Sequence, residues 1–202
     1  MTTTDWILQV VREDRPEDRA ARELLRRFET ARDAGTAPQA LAGEDPQWTA
    51  WASGTAAAQS DPGLPWIAVC AAATALGEDD RAVAAVSLGC QVAERVAVEL
   101  GPTHLAAGWD VRATAGVIGA GAAVGWLCGL DDEQLRNAIG LCATQASGLT
   151  GSAGTGAEAL QQGKAAANAV EAALLGQCGF TSSAEPLDGR RGMFALMAPD
   201  RT

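Results

Sequence analysis

Tyrosine is absent from this 202-residue sequence, and histidine and lysine occur once each, as His104 and Lys164. One histidine, scattered carboxylates and cysteines without a paired motif leave no cluster with metal-ligand spacing, so no metal is expected. The five cysteines, Cys70, Cys90, Cys128, Cys142 and Cys178, are odd in number and lie in apolar stretches, and they read as reduced core residues of a cytoplasmic protein. Basic residues are scarce: 15 Lys and Arg face 25 Asp and Glu, for a net charge of -10. A nucleic-acid surface would need clustered cations to replace phosphate counterions, and that class is excluded. The opening MTTTDWILQVVRED lacks a basic region followed by a long apolar run, so no secretory leader is expected there. The longest small-residue apolar stretch, residues 113 to 130, is rich in Ala and Gly and too weakly hydrophobic for a membrane span, and it reads as a buried helix.

What remains is a chain of one-domain length in which Ala and Gly supply much of the hydrophobic content. Small side chains let helix backbones approach closely, and Ala has the best helix propensity. From Arg15 to Ala34, the residues Ala21, Leu24, Leu25, Phe28 and Ala31 recur at helical spacing and predict an amphipathic helix. Residues 35 to 47 read as a loop, Trp48 to Gln59 as a short helix, and Ser60-Asp61-Pro62-Gly63 as a turn. Helices are predicted from Pro65 to Leu76 and from Glu78 to Leu100, followed by a loop over Gly101 to Asp110. Asp131 and Gln134 have the spacing of a capping box that opens the helix carrying Leu135, Ala138, Ile139 and Cys142. A loop over residues 147 to 156 precedes a last long helix from Gly156 to Leu175. No run alternates with period two for long enough to make a strand, so the class is all-α, one domain over residues 1 to 202.

Two glycine-rich stretches imply no nucleotide cofactor. GAGAAVG, residues 119 to 125, lies inside a helical run with no strand before it. GSAGTG and the later Gly163-Lys164 lack phosphate-loop spacing, and Ala165 stands where a hydroxyl would hold magnesium. Gly121, Gly125 and Gly129 recur at four-residue spacing and predict one close-packing helix face.

From Gly101 to Leu196 the order GPTHLAAGWDVRATAGVIGAGAAVGWLCGLDDEQLRNAIGLCATQASGL, then QQGKAAANAVEAALLGQCGFT, then LDGRRGMF resembles the MmgE/PrpD family. The resemblance implies a helical domain of a homodimeric lyase such as 2-methylcitrate dehydratase or cis-aconitate decarboxylase, with the active site between that domain and a smaller α/β lid. Upstream, WASGTAAAQSD resembles the family's FANG-x-x-AHALD stretch, with Ala58 at its histidine and Asp61 at its first carboxylate or, equally, at a lost histidine. The family's Gly-Trp-His becomes Gly108-Trp109-Asp110, with Arg112 at its threonine. Its Lys-Pro-Leu-His-x-Gly-Arg becomes Glu158 to Lys164, which replaces a lysine by Glu158 and a histidine by Gln161.

Dehydrating or decarboxylating a citrate-like acid needs cationic donors plus an acid and a base of suitable pKa. Two readings stay open. One is a repurposed enzyme with Asp61 and Asp110 as acid or base, and Arg112, Glu158, Gln161, Lys164 and His104 around a less charged small substrate. The other is a non-catalytic protein that keeps the helical core for pairing with a second copy or a full-length relative. The first is preferred at this point, because polar residues remain where the cleft should be. For His104 alone, a packing role outweighs that of a general base.

Overall fold

The computed structural model describes residues 1–13, 18–41 and 43–198. Its helices are α1 (Thr3–Val11), α2 (Arg19–Ala34), α3 (Pro46–Ser60), α4 (Ile67–Leu76), α5 (Asp79–Ala106), α6 (Val111–Leu127), α7 (Asp132–Gln145), α8 (Gly156–Gln177) and α9 (Met193–Met197), with short 3-10 turns at Gln39–Leu41 and Thr150–Ser152. Among the described residues there is no strand, only one isolated antiparallel bridge between Trp109 and Leu149, so the all-α class holds. The start expected at Arg15 falls outside the described residues, and α2 is seen from Arg19.

Helix α6 is the central element. Residues Ala113 to Gly125 are buried on every side, and α6 packs against α4, α5, α7 and α8. A helix apolar all round belongs in the middle of a bundle. Among the described residues no helix is long and apolar enough to cross a membrane. Glycine sets how close its neighbours come: a methyl group on Gly119 would overlap the Gly89 carbonyl on α5, and one on Gly121 would overlap the Cys142 sulfur on α7. Gly125 likewise faces Leu135. Gly129 departs from the expected stripe, since it lies beyond the end of α6 at φ 67° with open space around it, where it turns the chain.

Helices α3 and α8 form the most extensive pair. Gly54 and Gly163 meet backbone to backbone there, and the Thr55 hydroxyl fills the space beside Gly163. The expected capping box is present: the Gln134 N–H donates to Asp131 Oδ1 at 2.9 Å, and the Asp131 N–H donates to Gln134 Oε1 at 3.1 Å.

Several elements differ from the sequence reading: 3-10 turns lie inside the loops expected over 35–47 and 147–156, and Met193–Met197 forms a short helix that was not expected. The loop expected over Gly101 to Asp110 contains a helical turn, because Gly101 at φ 64° breaks α5 only locally and Pro102 restarts it. Pro at a first helical position costs no hydrogen bond. The N-terminal segment is a capped helix, in which the Asp5 N–H donates to Thr2 Oγ1 at 3.1 Å and Asp5 accepts the Thr2 N–H in return. It buries Ile7, Leu8 and Val10 against the bundle.

Candidate functional site

The chain approaches α6 through Gly108-Trp109-Asp110 and approaches α8 through Gly148-Leu149-Thr150. These two segments pair: the Asp110 N–H donates to the Gly148 carbonyl at 3.0 Å, and the Thr150 N–H donates to the Gly108 carbonyl at 2.9 Å. Gly108 at φ 93° and Gly148 at φ 139° adopt backbone that other residues avoid, and a methyl group at Gly148 would overlap Ala113. This pairing sets Asp110, the N-cap of α6, against the flank of α8.

Asp110 is buried and accepts five N–H donors. Oδ1 takes the Arg112 backbone N–H at 2.9 Å and Arg112 Nε at 3.2 Å. Oδ2 takes Arg112 Nη2 at 2.9 Å, Gln161 Nε2 at 2.7 Å and Gln162 Nε2 at 3.1 Å. An ionised carboxylate offers about four lone-pair sites, so its acceptor capacity is filled from within the chain.

Arg112 ties this carboxylate to two further elements. Its Nη2 also donates to Glu158 Oε1 at 2.9 Å, and its Nη1 donates to the Pro62 carbonyl at 2.5 Å. Hydrogen bonding to Asp110, more than any other contact, raises the Arg112 pKa above its ordinary value. Glu158 lies below the usual carboxylate range, first because of the Arg112 hydrogen bond and next because of the Gly154 N–H, which it accepts at 2.7 Å. Gln161 completes the array by accepting the Leu149 N–H on Oε1 at 3.1 Å.

The remaining expected residues lie around this array. Asp61 caps the C-terminal end of α3, accepts the Gly63 N–H at 3.2 Å and sits 3.7 Å from Arg27 Nη2, so it belongs to the turn that Arg112 grips through Pro62. His104 is fully buried: Nδ1 lies 3.1 Å from the Met197 carbonyl and Nε2 lies 2.8 Å from Thr114 Oγ1. A carbonyl can only accept, which assigns the proton to Nδ1, and Nε2 of the neutral ring shares the Thr114 hydroxyl proton with the Asp110 carbonyl, which lies 3.0 Å from Thr114 Oγ1. Burial lowers the His104 pKa and favours that neutral form. With both nitrogens engaged inside the fold, His104 is placed for packing and out of reach of a ligand. Lys164 is turned to α3, with Nζ 4.4 Å from the centre of the Trp51 ring, which itself stacks on Trp48.

The structure thus joins Asp110, Arg112, Glu158 and Gln161 directly, joins Asp61 through Pro62, and leaves His104 and Lys164 with partners of their own. Gln162 was not foreseen. It is buried, its Oε1 has no hydrogen-bond partner among the described residues, and placing its NH2 on Asp110 is the orientation that avoids setting oxygen against carboxylate. A polar residue at a position flanked by Gly163 and the buried face of α8 was the available signal.

Residues 15–202 match the family model of the MmgE/PrpD N-terminal domain. The chain belongs to the MmgE/PrpD family. No curated protein matches the sequence significantly. The positions that the MmgE/PrpD resemblance set at the family's histidine, lysine and second histidine, namely Asp110, Glu158 and Gln161, meet in one array, with Glu158 on Arg112 and Gln161 on Asp110. Ala58, set at a third MmgE/PrpD histidine, is buried in the core and carries no proton-transfer group.

Proposed function

We propose that this MmgE/PrpD protein is non-catalytic, that the positions of the family's chemistry hold its helices together, and that it works as a dimerising subunit. The observation that carries this reading is the filled Asp110 carboxylate: five donors from its own chain occupy the oxygens that a base would turn to a substrate. The cation best placed for a substrate carboxylate, Arg112, is spent on Asp110, Glu158 and Pro62. Losing one proton-transfer group typically costs on the order of 10²–10⁴ in rate, and here several are replaced together.

The test is prolonged incubation of purified protein with 2-methylcitrate, cis-aconitate and smaller hydroxy acids, followed by NMR. No water loss or carbon dioxide release is expected. Turnover that disappears in Asp110→Asn while the fold persists would overturn the reading.

One observation favours a repurposed enzyme as the second reading. Asp61 borders an open depression of about 480 Å³ together with Arg26 and Arg27. An enzyme built there would act on a substrate with fewer negative charges than citrate, and Asp61→Asn would abolish its turnover.

A further inference from the structure

A groove of about 590 Å³ runs between α2, the start of α4 and α5, away from the Asp110 array. That volume lies within the range of small-molecule sites. Its apolar wall includes Leu24, Pro65 and Trp66, and its charged residues are Asp18, Glu23, Arg27 and Glu94, three acids against one base.

Three of these charges are already engaged. Asp18 accepts the Ser87 hydroxyl at 2.6 Å and two N–H groups at the start of α2. Glu23 is held by a two-pronged contact with Arg26, and Arg27 lies beside Asp61. Glu94 alone makes no hydrogen bond or ion pair among the described residues, and it lines the same groove as the Trp66 indole. Trp66 itself occupies left-handed backbone, φ 51° and ψ 39°, at the N-cap of α4. Glycine would fit that conformation readily, whereas a bulky side chain is strained there. An apolar wall, an aromatic face and an unengaged carboxylate complement a cation with a hydrocarbon body. The larger groove between α2 and the α4–α5 junction, about 810 Å³, also carries carboxylates, Glu29, Glu78 and Asp79, but no aromatic ring among the described residues lines it, and its Arg22, Arg26 and Arg32 add positive charge.

We propose that the groove between α2 and α5 binds a small organic ammonium ion, held by Glu94 and the Trp66 ring. This stands apart from whether the Asp110 array is catalytic. The probe is 2-phenylethylammonium, titrated by calorimetry at low salt, with phenylacetate as the oppositely charged control of similar shape. Binding of the cation with Kd of about 1 mM or tighter is expected, with no detectable binding of phenylacetate. Glu94→Gln, a surface change that leaves packing intact, should weaken the cation by about three-fold or more, as should Trp66→Leu, while Glu133→Gln on α7 should not. The proposal is overturned if phenylacetate binds equally well, if the cation fails to bind at about 10 mM, or if Glu94→Gln and Trp66→Leu both bind it as the parent does.

Discussion

Arg112 folds back on the residue two places before it: Nε and Nη2 both donate to the Asp110 carboxylate, at 3.2 and 2.9 Å. The same guanidinium reaches the turn after α3 through Pro62 and the first turn of α8 through Glu158. Three connections that enter or leave core helices are therefore fastened at one side chain.

Asp110→Asn should cost stability, because an amide NH2 would face the donors of Arg112, Gln161 and Gln162. Breaking a fully buried pair costs about 3–5 kcal/mol. Arg112 keeps 31% side-chain exposure, so water relieves part of the loss and about 2–3 kcal/mol is expected from urea unfolding. A change within about 0.5 kcal/mol would show that the array is not structural.

Stability should fall as the solution is acidified, in two stages. His104 has a folded pKa below its ordinary 6.5, so the unfolded chain takes up protons first, and stability drops as pH falls below about 6.5. The depressed carboxyls of Glu158 and Asp18, with ordinary values of 4.5 and 3.8, contribute stability above those values and lose it as pH falls through their folded values. Asp5, lowered to about 2 chiefly by Arg136, extends the decline to the acid limit. Melting temperature against pH measures this, and His104→Gln should remove the stage nearest pH 6. A curve flat from pH 7 to 5 in the parent would contradict it.

Gly163→Ala should destabilise by about 1–3 kcal/mol, since its methyl group would strike the Trp51 carbonyl and the Thr55 hydroxyl where α3 meets α8. Gly156→Ala is the control. Nothing lies near that position at the start of α8, so denaturant midpoints should be unchanged or slightly higher there.

Exposed Leu105, Leu149 and Leu160, at 58%, 57% and 41%, leave apolar surface that pairing would cover. Sedimentation at micromolar concentration should give a dimer mass, and Leu149→Asp with Leu160→Asp should give monomers. A parent that sediments as a monomer would refute the dimer.

The helical class, the capping box at Asp131 and the burial of residues 113–125 within the expected 113–130 stretch were legible because each rests on local spacing. The first helix carries the same kind of signal in Thr2 and Asp5, whose spacing is that of a capping box. The Asp110 array was half legible. The resemblance selected Asp110, Arg112, Glu158 and Gln161 together, but whether a carboxylate faces solvent or its own chain depends on the bridge between residues 108–110 and 148–150. No periodicity reports that bridge, since it is a single antiparallel step between two loops. Asp61, near one end of the array, also drew its role from sequence position, whereas in space its nearest charge comes from Arg27 on a different helix.

The first helix also sets a timetable. Thr3 donates its N–H and its hydroxyl to the Asp188 carboxylate, at 2.7 and 3.0 Å, across 185 residues of chain. Asp5 is likewise held by Arg136 at 2.9 Å. α1 is synthesised before either anchor, so it is fastened only after Arg136 and then Asp188 have been made. The cap that Thr2 and Asp5 supply locally biases α1 toward helix through that interval, and docking on the bundle makes so short a helix stable.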